Sequence, residues 1–134
     1  MQTSANPIAY LDASALVKLV ILEAESAALR AYVDPRPLLA SCTLARVELP
    51  RAVARHGAEA LSTSRRILAQ LDLVQLDDEL LDLAGELAGN LRSLDAVHVA
   101  AAMEFGDGLE ALVTYDSRMA AAAHDLGLPV IAPA

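Results

Sequence analysis

Apolar and polar positions alternate along this chain in two rhythms. Ile8-Ala9-Tyr10-Leu11 is a continuous apolar run, with Pro7 before it and Asp12 closing it, as suits a strand buried on both faces. Residues 13–22 follow with helical spacing, so Asp12 stands where a strand gives way to a helix. Residues 24–33 read as a second helix, ended by Asp34-Pro35-Arg36-Pro37, since both prolines oppose helix. A short apolar strand at 38–41 comes next. Thr43 is placed to cap a helix that carries Leu44, Val47, Glu48 and Val53 and stops at Gly57. Pro50 lies inside it, removing one backbone bond and crowding the carbonyl of Arg46, which predicts a kink or break nearby.

The pattern continues with a helix at 58–70 and a strand at 73–76. Asp77 caps a helix at 78–88 whose Leu80, Ala84, Leu87 and Leu91 share one face, and Gly89-Asn90 closes it. Ser93 is placed to cap a helix at 94–105, which Gly106-Asp107-Gly108 interrupts. A strand at 111–114 leads to Asp116, a helix at 117–126 and a last short strand at Val130-Ile131. Strands alternating with helices predict an α/β fold with a parallel sheet. There is no internal repeat, linker or low-complexity tract beyond a bias to alanine, and 134 residues are most simply one domain, 1–134.

Composition narrows the class. Hydrophobic residues make up 55% with a mean hydropathy of +0.40, but Lys18 interrupts the longest apolar run, far short of the roughly 18 residues of a membrane span. No signal-peptide pattern marks the N-terminus, so the expected location is cytoplasmic, without a membrane partner. Cys42 is the lone cysteine, which excludes an internal disulfide and a cysteine-rich zinc site and predicts a buried, inert thiol.

A net charge of −8 argues against indiscriminate binding to phosphate backbones. The charge is uneven, however. Residues 46–66 carry Arg46, Arg51, Arg55, Arg65 and Arg66 against Glu48 and Glu59, a local balance of +3. This segment reads either as solvated helix faces or as a basic rim beside an acidic pocket, with Arg46, Arg51 and Arg55 the candidate phosphate contacts. Three tyrosines and one phenylalanine, with no tryptophan, speak against base stacking as a mode of substrate binding.

Asp12, Asp95 and Asp116 all sit at helix starts, where each could serve simply as a cap or dipole partner. Glu48 lies a turn into its helix, where pairing with Arg51 or Arg55 is the plain alternative. Together they fit one purpose. Asp12 and Asp116 end apolar strands that a parallel sheet brings to one edge, and Asp95 begins an apolar helix that must pack on that sheet. Two carboxylates at ~5 Å repel by roughly 3 kcal/mol at an effective dielectric of ~20. A divalent cation removes that penalty, and all-oxygen ligation selects Mg²⁺ or Mn²⁺ over zinc. Ser14 and Thr114 are placed to support metal-bound waters or a phosphate. Such a site suits phosphodiester hydrolysis, and the cation inverts the local sign of an acidic protein.

The stretches Tyr-Leu-Asp12-Ala-Ser14-Ala-Leu-Val-Lys18-Leu, Ala-Arg-Val-Glu48, Leu-Asp95-Ala-Val-His98-Val-Ala-Ala and Leu-Val-Thr114-Tyr-Asp116-Ser-Arg118 resemble those of PIN-domain ribonucleases, most closely the VapC toxins of bacterial toxin–antitoxin pairs. The resemblance covers nearly the whole chain. It implies a three-layer α/β/α sandwich with a short parallel sheet, Mg²⁺- or Mn²⁺-dependent cleavage of RNA, a homodimer, and inhibition by a VapB-type antitoxin. It also implies an acidic quartet of Asp12, Glu48, Asp95 and Asp116, with metal ligands among Asp12, Asp95 and Asp116 and with Ser14 and Thr114 in support. Pro50, just after Glu48, departs from the family pattern and bears on how Glu48 is aimed.

Other residues carry less chemistry. His98 reads as a packed or hydrogen-bonded structural residue, His56 and His124 as solvated, and Lys18 as the partner of an acid. Asp77-Asp78-Glu79 is a helix start outside the site. Two rival functions stand beside the ribonuclease: phosphoryl transfer of the haloacid dehalogenase type wants a second carboxylate where Ser14 stands, and a PIN-like interaction module with an inactive site would be favoured by a missing quartet member, whereas all four are present.

Overall fold

The computed structural model describes residues 7–134. Residues 1–6, on which the signal-peptide reading bears, lie outside the described residues. Strand β1 (Ile8–Leu11) is the predicted buried run, and α1 (Ala13–Val20) follows it after the single residue Asp12. Next come α2 (Ser26–Val33), β2 (Leu39–Cys42), α3 (Ala45–Val53), α4 (Ala58–Ala69) and β3 (Asp72–Val74). The chain finishes with α5 (Asp78–Glu86), α6 (Ser93–Met103), β4 (Leu109–Val113), α7 (Ser117–Asp125) and β5 (Val130–Ile131). Each predicted element is present, with ends shifted by a few residues.

The strands form one parallel sheet in the order β3-β2-β1-β4-β5. Side chains alternate across it. Ala9, Leu11 and Val113 meet Ala15, Leu16, Leu29, Leu49 and Val53 from α1, α2 and α3, whereas Tyr10, Cys42 and Leu112 meet Leu80, Val99 and Met119 from α5, α6 and α7. The result is the expected α/β/α sandwich. The α6 face is built from small residues, Ala96, Ala100, Ala101 and Ala102, all buried, which lets its backbone lie close to the sheet. From β1 the chain passes to β2 on one side, while β4 pairs on the other. The strand order therefore reverses at β1, and in open parallel sheets the carboxyl ends at such a switch point are where ligands bind.

Three local expectations are corrected. Thr43 does not cap α3; it forms a turn in which its carbonyl accepts from the Arg46 N–H, and the residue ahead of α3, Leu44, makes no side-chain cap bond. Ser93 is the first residue of α6 rather than its cap, and Arg92 precedes it without a side-chain cap bond. Pro50 does not break α3 where it stands: the helix runs on to Val53 and only then tightens into a 3-10 turn over Ala54–His56.

At the amino end of the sheet, away from Asp12, Glu110 in β4 accepts from the Tyr32 hydroxyl at 2.5 Å and from Arg36 Nε at 2.5 Å, while the Arg36 guanidinium stacks on the Tyr32 ring at 3.6 Å. The Tyr32 and Arg36 bonds hold the Glu110 carboxyl below its ordinary range, against the smaller opposing effect of burial. A depressed folded pKa contributes stability above the unfolded value and loses it as pH falls through the folded one. Glu110→Gln is therefore expected to lower stability at pH 7 by about 1 kcal/mol, modest because the pair is partly exposed. Urea unfolding of both proteins at a series of pH values should show that difference shrinking as pH falls below the ordinary glutamate range; a difference that stays constant into acid would assign it to packing instead of charge.

Candidate active site

Asp12 caps α1 from the carboxyl end of the central strand. Its Oδ1 accepts from the Ala15 N–H at 3.0 Å and the Ser14 hydroxyl at 2.7 Å, and its Oδ2 accepts from the Thr114 hydroxyl at 2.6 Å. The residue is only 2% exposed. Burial raises its pKa, and the bonds from Thr114, Ser14 and Ala15 offset that only in part. Asp12 is thus a carboxylate short of compensation for its lost hydration.

Each hydroxyl has one hydrogen. Ser14 and Thr114 give theirs to Asp12 and accept in turn from the Tyr115 N–H at 2.9 Å and the Asp116 N–H at 3.1 Å. Their support goes to the Asp12 carboxylate itself, whereas the sequence suggested a water or phosphate as the recipient. Ser14, spent in this way, also stands where a dehalogenase-type mechanism would need an acid–base carboxylate.

Asp116 caps α7, its Oδ1 accepting from Arg118 N–H at 2.9 Å and Met119 N–H at 3.0 Å. These backbone bonds, Met119 foremost, together with Arg92 hold its pKa below the ordinary value against burial. Asp95 is in the first turn of α6. Arg92 joins the two: Nε lies 3.2 Å from Asp95 Oδ2 and Nη2 lies 3.1 Å from Asp116 Oδ2. A continuous chain of contacts thus runs Asp12, Thr114, Asp116, Arg92, Asp95 along the carboxyl edge.

Glu48 enters from the opposite helical layer. Its Oε1 accepts from His98 Nε2 at 2.6 Å, and His98 lies one helical turn beyond Asp95 on α6. The other ring nitrogen, Nδ1, is 2.8 Å from the Tyr10 hydroxyl and 3.8 Å from the Cys42 sulfur, with the Tyr10 ring edge-on. Burial opposes charge on His98, but Cys42 and Glu48 outweigh it and push the imidazole up to about 10. His98 is packed and hydrogen-bonded, as the sequence suggested, and it holds Glu48 by Oε1. Cys42 is buried as expected, yet its thiol is not ordinary: burial pushes it up and His98 pulls it below its usual value.

Arg46, Arg51 and Arg55 are all exposed. Arg51 is three residues beyond Glu48 and shares its helical face. Arg46 instead lines a groove with Pro50, Arg65, Leu68 and Leu73, toward α4. Lys18 pairs with Glu23 at 3.1 Å and Glu25 at 2.8 Å, a structural pairing. His56 and His124 are exposed, and Asp77 caps α5 through the Leu80 N–H.

Sequence reasoning missed Arg92 and Tyr10. Arg92 had a signal, a cation three residues ahead of Asp95 at the mouth of a helix. Tyr10 had a weaker one, a phenol in an otherwise wholly apolar buried run, where a hydroxyl needs a partner.

Among the described residues no three carboxylate, imidazole or thiolate groups are already closed around one point as a cation cage. The donor set nevertheless fits a hard divalent cation. It is all carboxylate oxygen, Asp95 and Asp116 already converge on one positive group, and Asp12 is buried with its charge undercompensated.

The fold and this acidic edge define a class: the chain matches the PIN domain over residues 9–125 and belongs to that family. It is 50% identical over 125 residues, covering 92% of this chain and 96% of the relative, to Ribonuclease VapC46 of Mycobacterium tuberculosis. It is also 43% identical over 129 residues to Ribonuclease VapC35 and 38% identical over 130 to Ribonuclease VapC47 of the same organism, each match covering 92% of this chain and 96% of the relative. Within the PIN-domain family it belongs to the VapC-type ribonucleases. No helix among the described residues is long and apolar enough to cross a membrane.

Proposed function

We propose that this chain, acting as one domain, is a Mg²⁺- or Mn²⁺-dependent endoribonuclease and the toxin component of a type II toxin–antitoxin pair. The observation that carries the reading is the set of acids at the sheet edge: the Asp12 carboxylate accepts from the Thr114 hydroxyl, that hydroxyl accepts from the Asp116 backbone N–H, Arg92 bridges the Asp116 and Asp95 carboxylates, and Glu48 is bonded to His98 on the helix of Asp95. The names of its relatives, which are ribonucleases of the VapC type, support the same substrate class.

In this reading Asp12, Asp95 and Asp116 hold the cation. When bound, it lowers the pKa of a water and stabilises charge on the phosphate oxygens. Ser14, Thr114 and the Ala15 N–H orient the Asp12 carboxylate and offset part of its desolvation. Glu48, anchored through Oε1 by His98, keeps Oε2 to receive a proton from the attacking water. Arg51, one turn beyond Glu48, and Arg55, in the 3-10 turn after α3, contact substrate phosphates, and Arg46 contacts RNA that extends into the groove by α4. The toxin works in the cytoplasm as a homodimer and is held inactive by a VapB-type antitoxin.

The test is cleavage of total cellular RNA with Mn²⁺ and with chelator, mapped by 5′-end sequencing, for the wild type and Asp95→Asn. Discrete cuts that need the metal and vanish in the variant are expected. Cuts that persist in Asp95→Asn, or that survive chelation, would overturn the reading.

A further inference from the structure

Among the described residues Arg92 is the cation placed across two of the carboxylates just described, and neither composition nor spacing assigned it a role. It sits at the residue before α6 in extended conformation, with no cap bond of its own, and its side chain is 68% exposed. Its guanidinium does not grip one carboxylate with two parallel bonds. It splits, Nε to Asp95 on α6 and Nη2 to Asp116 at the start of α7. At 3.2 and 3.1 Å both contacts are longer than the roughly 2.7–2.9 Å of strong charge-assisted bonds. An exposed, long, divided ion pair is a weak one.

A divalent cation held by Asp95 and Asp116 would draw on the same two carboxylates that Arg92 touches. A guanidinium and a metal ion on the same pair of carboxylates repel each other, so each weakens the other's hold. We propose that Arg92 is a built-in counter-cation of the acidic site, displaced from Asp95 and Asp116 by the divalent ion and then free to meet a phosphate of the substrate. Before displacement it offsets the repulsion between two converging carboxylates and keeps them in place. After displacement its exposed stem leaves the guanidinium at the mouth of the site, where planar donors suit phosphate oxygens. Arg118 is a natural control: it is also exposed and next to Asp116, but only its backbone N–H touches that carboxylate.

The proposal rests on the metal-site reading, and the experiment separates the two. Mn²⁺ binding to the protein alone is titrated by calorimetry for the wild type, Arg92→Gln, Arg92→Lys and Arg118→Gln, with folding of each checked by circular dichroism. Arg92→Gln is expected to bind Mn²⁺ about two- to fivefold more tightly than the wild type, because the competitor is gone. Arg92→Lys keeps the charge but loses the fork that reaches the two carboxylates from separate nitrogens, so its affinity should lie between those of the wild type and Arg92→Gln, and it serves as the test if the glutamine variant does not fold. Arg118→Gln should change affinity less than either. Unchanged or weaker Mn²⁺ binding in the Arg92 variants, or an equal gain in Arg118→Gln, would overturn the counter-cation role while leaving the metal site standing. Absence of Mn²⁺ binding in all four proteins would overturn both.

Discussion

Asparagine in place of Asp12 is expected to reduce RNA cleavage by about a thousandfold or more while leaving the protein at least as stable as before. The two halves of this result have one origin. Asp12 is buried at the end of the central strand, and burial raises its pKa despite three hydrogen bonds to the carboxylate. A carboxyl whose folded pKa lies above its unfolded value stabilises the fold only at low pH, and that contribution is lost as pH rises through the unfolded and then the folded pKa. Wherever it is ionised in the fold, the group is therefore a burden on stability. Asparagine keeps an acceptor for Ala15 and Ser14 and presents an amide toward Thr114, whose hydroxyl oxygen can accept. It cannot supply an anionic oxygen to a cation. Cleavage at saturating Mn²⁺ and thermal unfolding of the same preparations test both halves. Activity within tenfold of wild type would remove Asp12 from the site, and a large loss of stability would show that the carboxylate is chiefly a structural cap.

His98→Ala is expected to cost about 3–5 kcal/mol of stability. The imidazole fills space between α6 and the sheet, at 1% exposure, and bonds to residues from three elements. Its removal leaves a cavity, a buried Tyr10 hydroxyl without its acceptor or donor, and Glu48 without its anchor. His98→Gln, which retains volume and one polar contact, should lose clearly less. Equilibrium urea unfolding of the three proteins measures this directly. A loss below about 1 kcal/mol in His98→Ala would mean that the site collapses easily and that the cluster does not organise the top of the fold. Cleavage should fall in His98→Ala as well, because Glu48 is then free to leave the acidic edge.

Much of the architecture was legible in the chain because local rules and the global fold agree. Runs such as Ile8 to Leu11 cannot be other than buried strands between turn-formers, and Asp12, Asp77 and Asp116 accept first-turn N–H groups as aspartates at such positions should. Where the local rule had competition, it failed. Thr43 and Ser93 looked like caps, but the chain turns through them differently because α3 and α6 are fixed by what they bury. Pro50 looked like a break, yet α3 keeps Leu49 and Val53 in the core on either side of it and gives up only its last turn.

What the sequence determined by itself is the set of elements, their parallel association and the delivery of Asp12 and Asp116 to one edge, since each follows from periodicity and from strand direction. The tertiary structure alone decided how those acids are held. Asp12 meets Thr114 across 102 positions and Glu48 meets His98 across 50. Which hydroxyl gives its hydrogen, which imidazole nitrogen faces which oxygen and which arginine spans two helix starts are set by distances of an ångström or less between elements far apart in the chain. Periodicity reports which face of an element is buried, and it carries no information about that spacing.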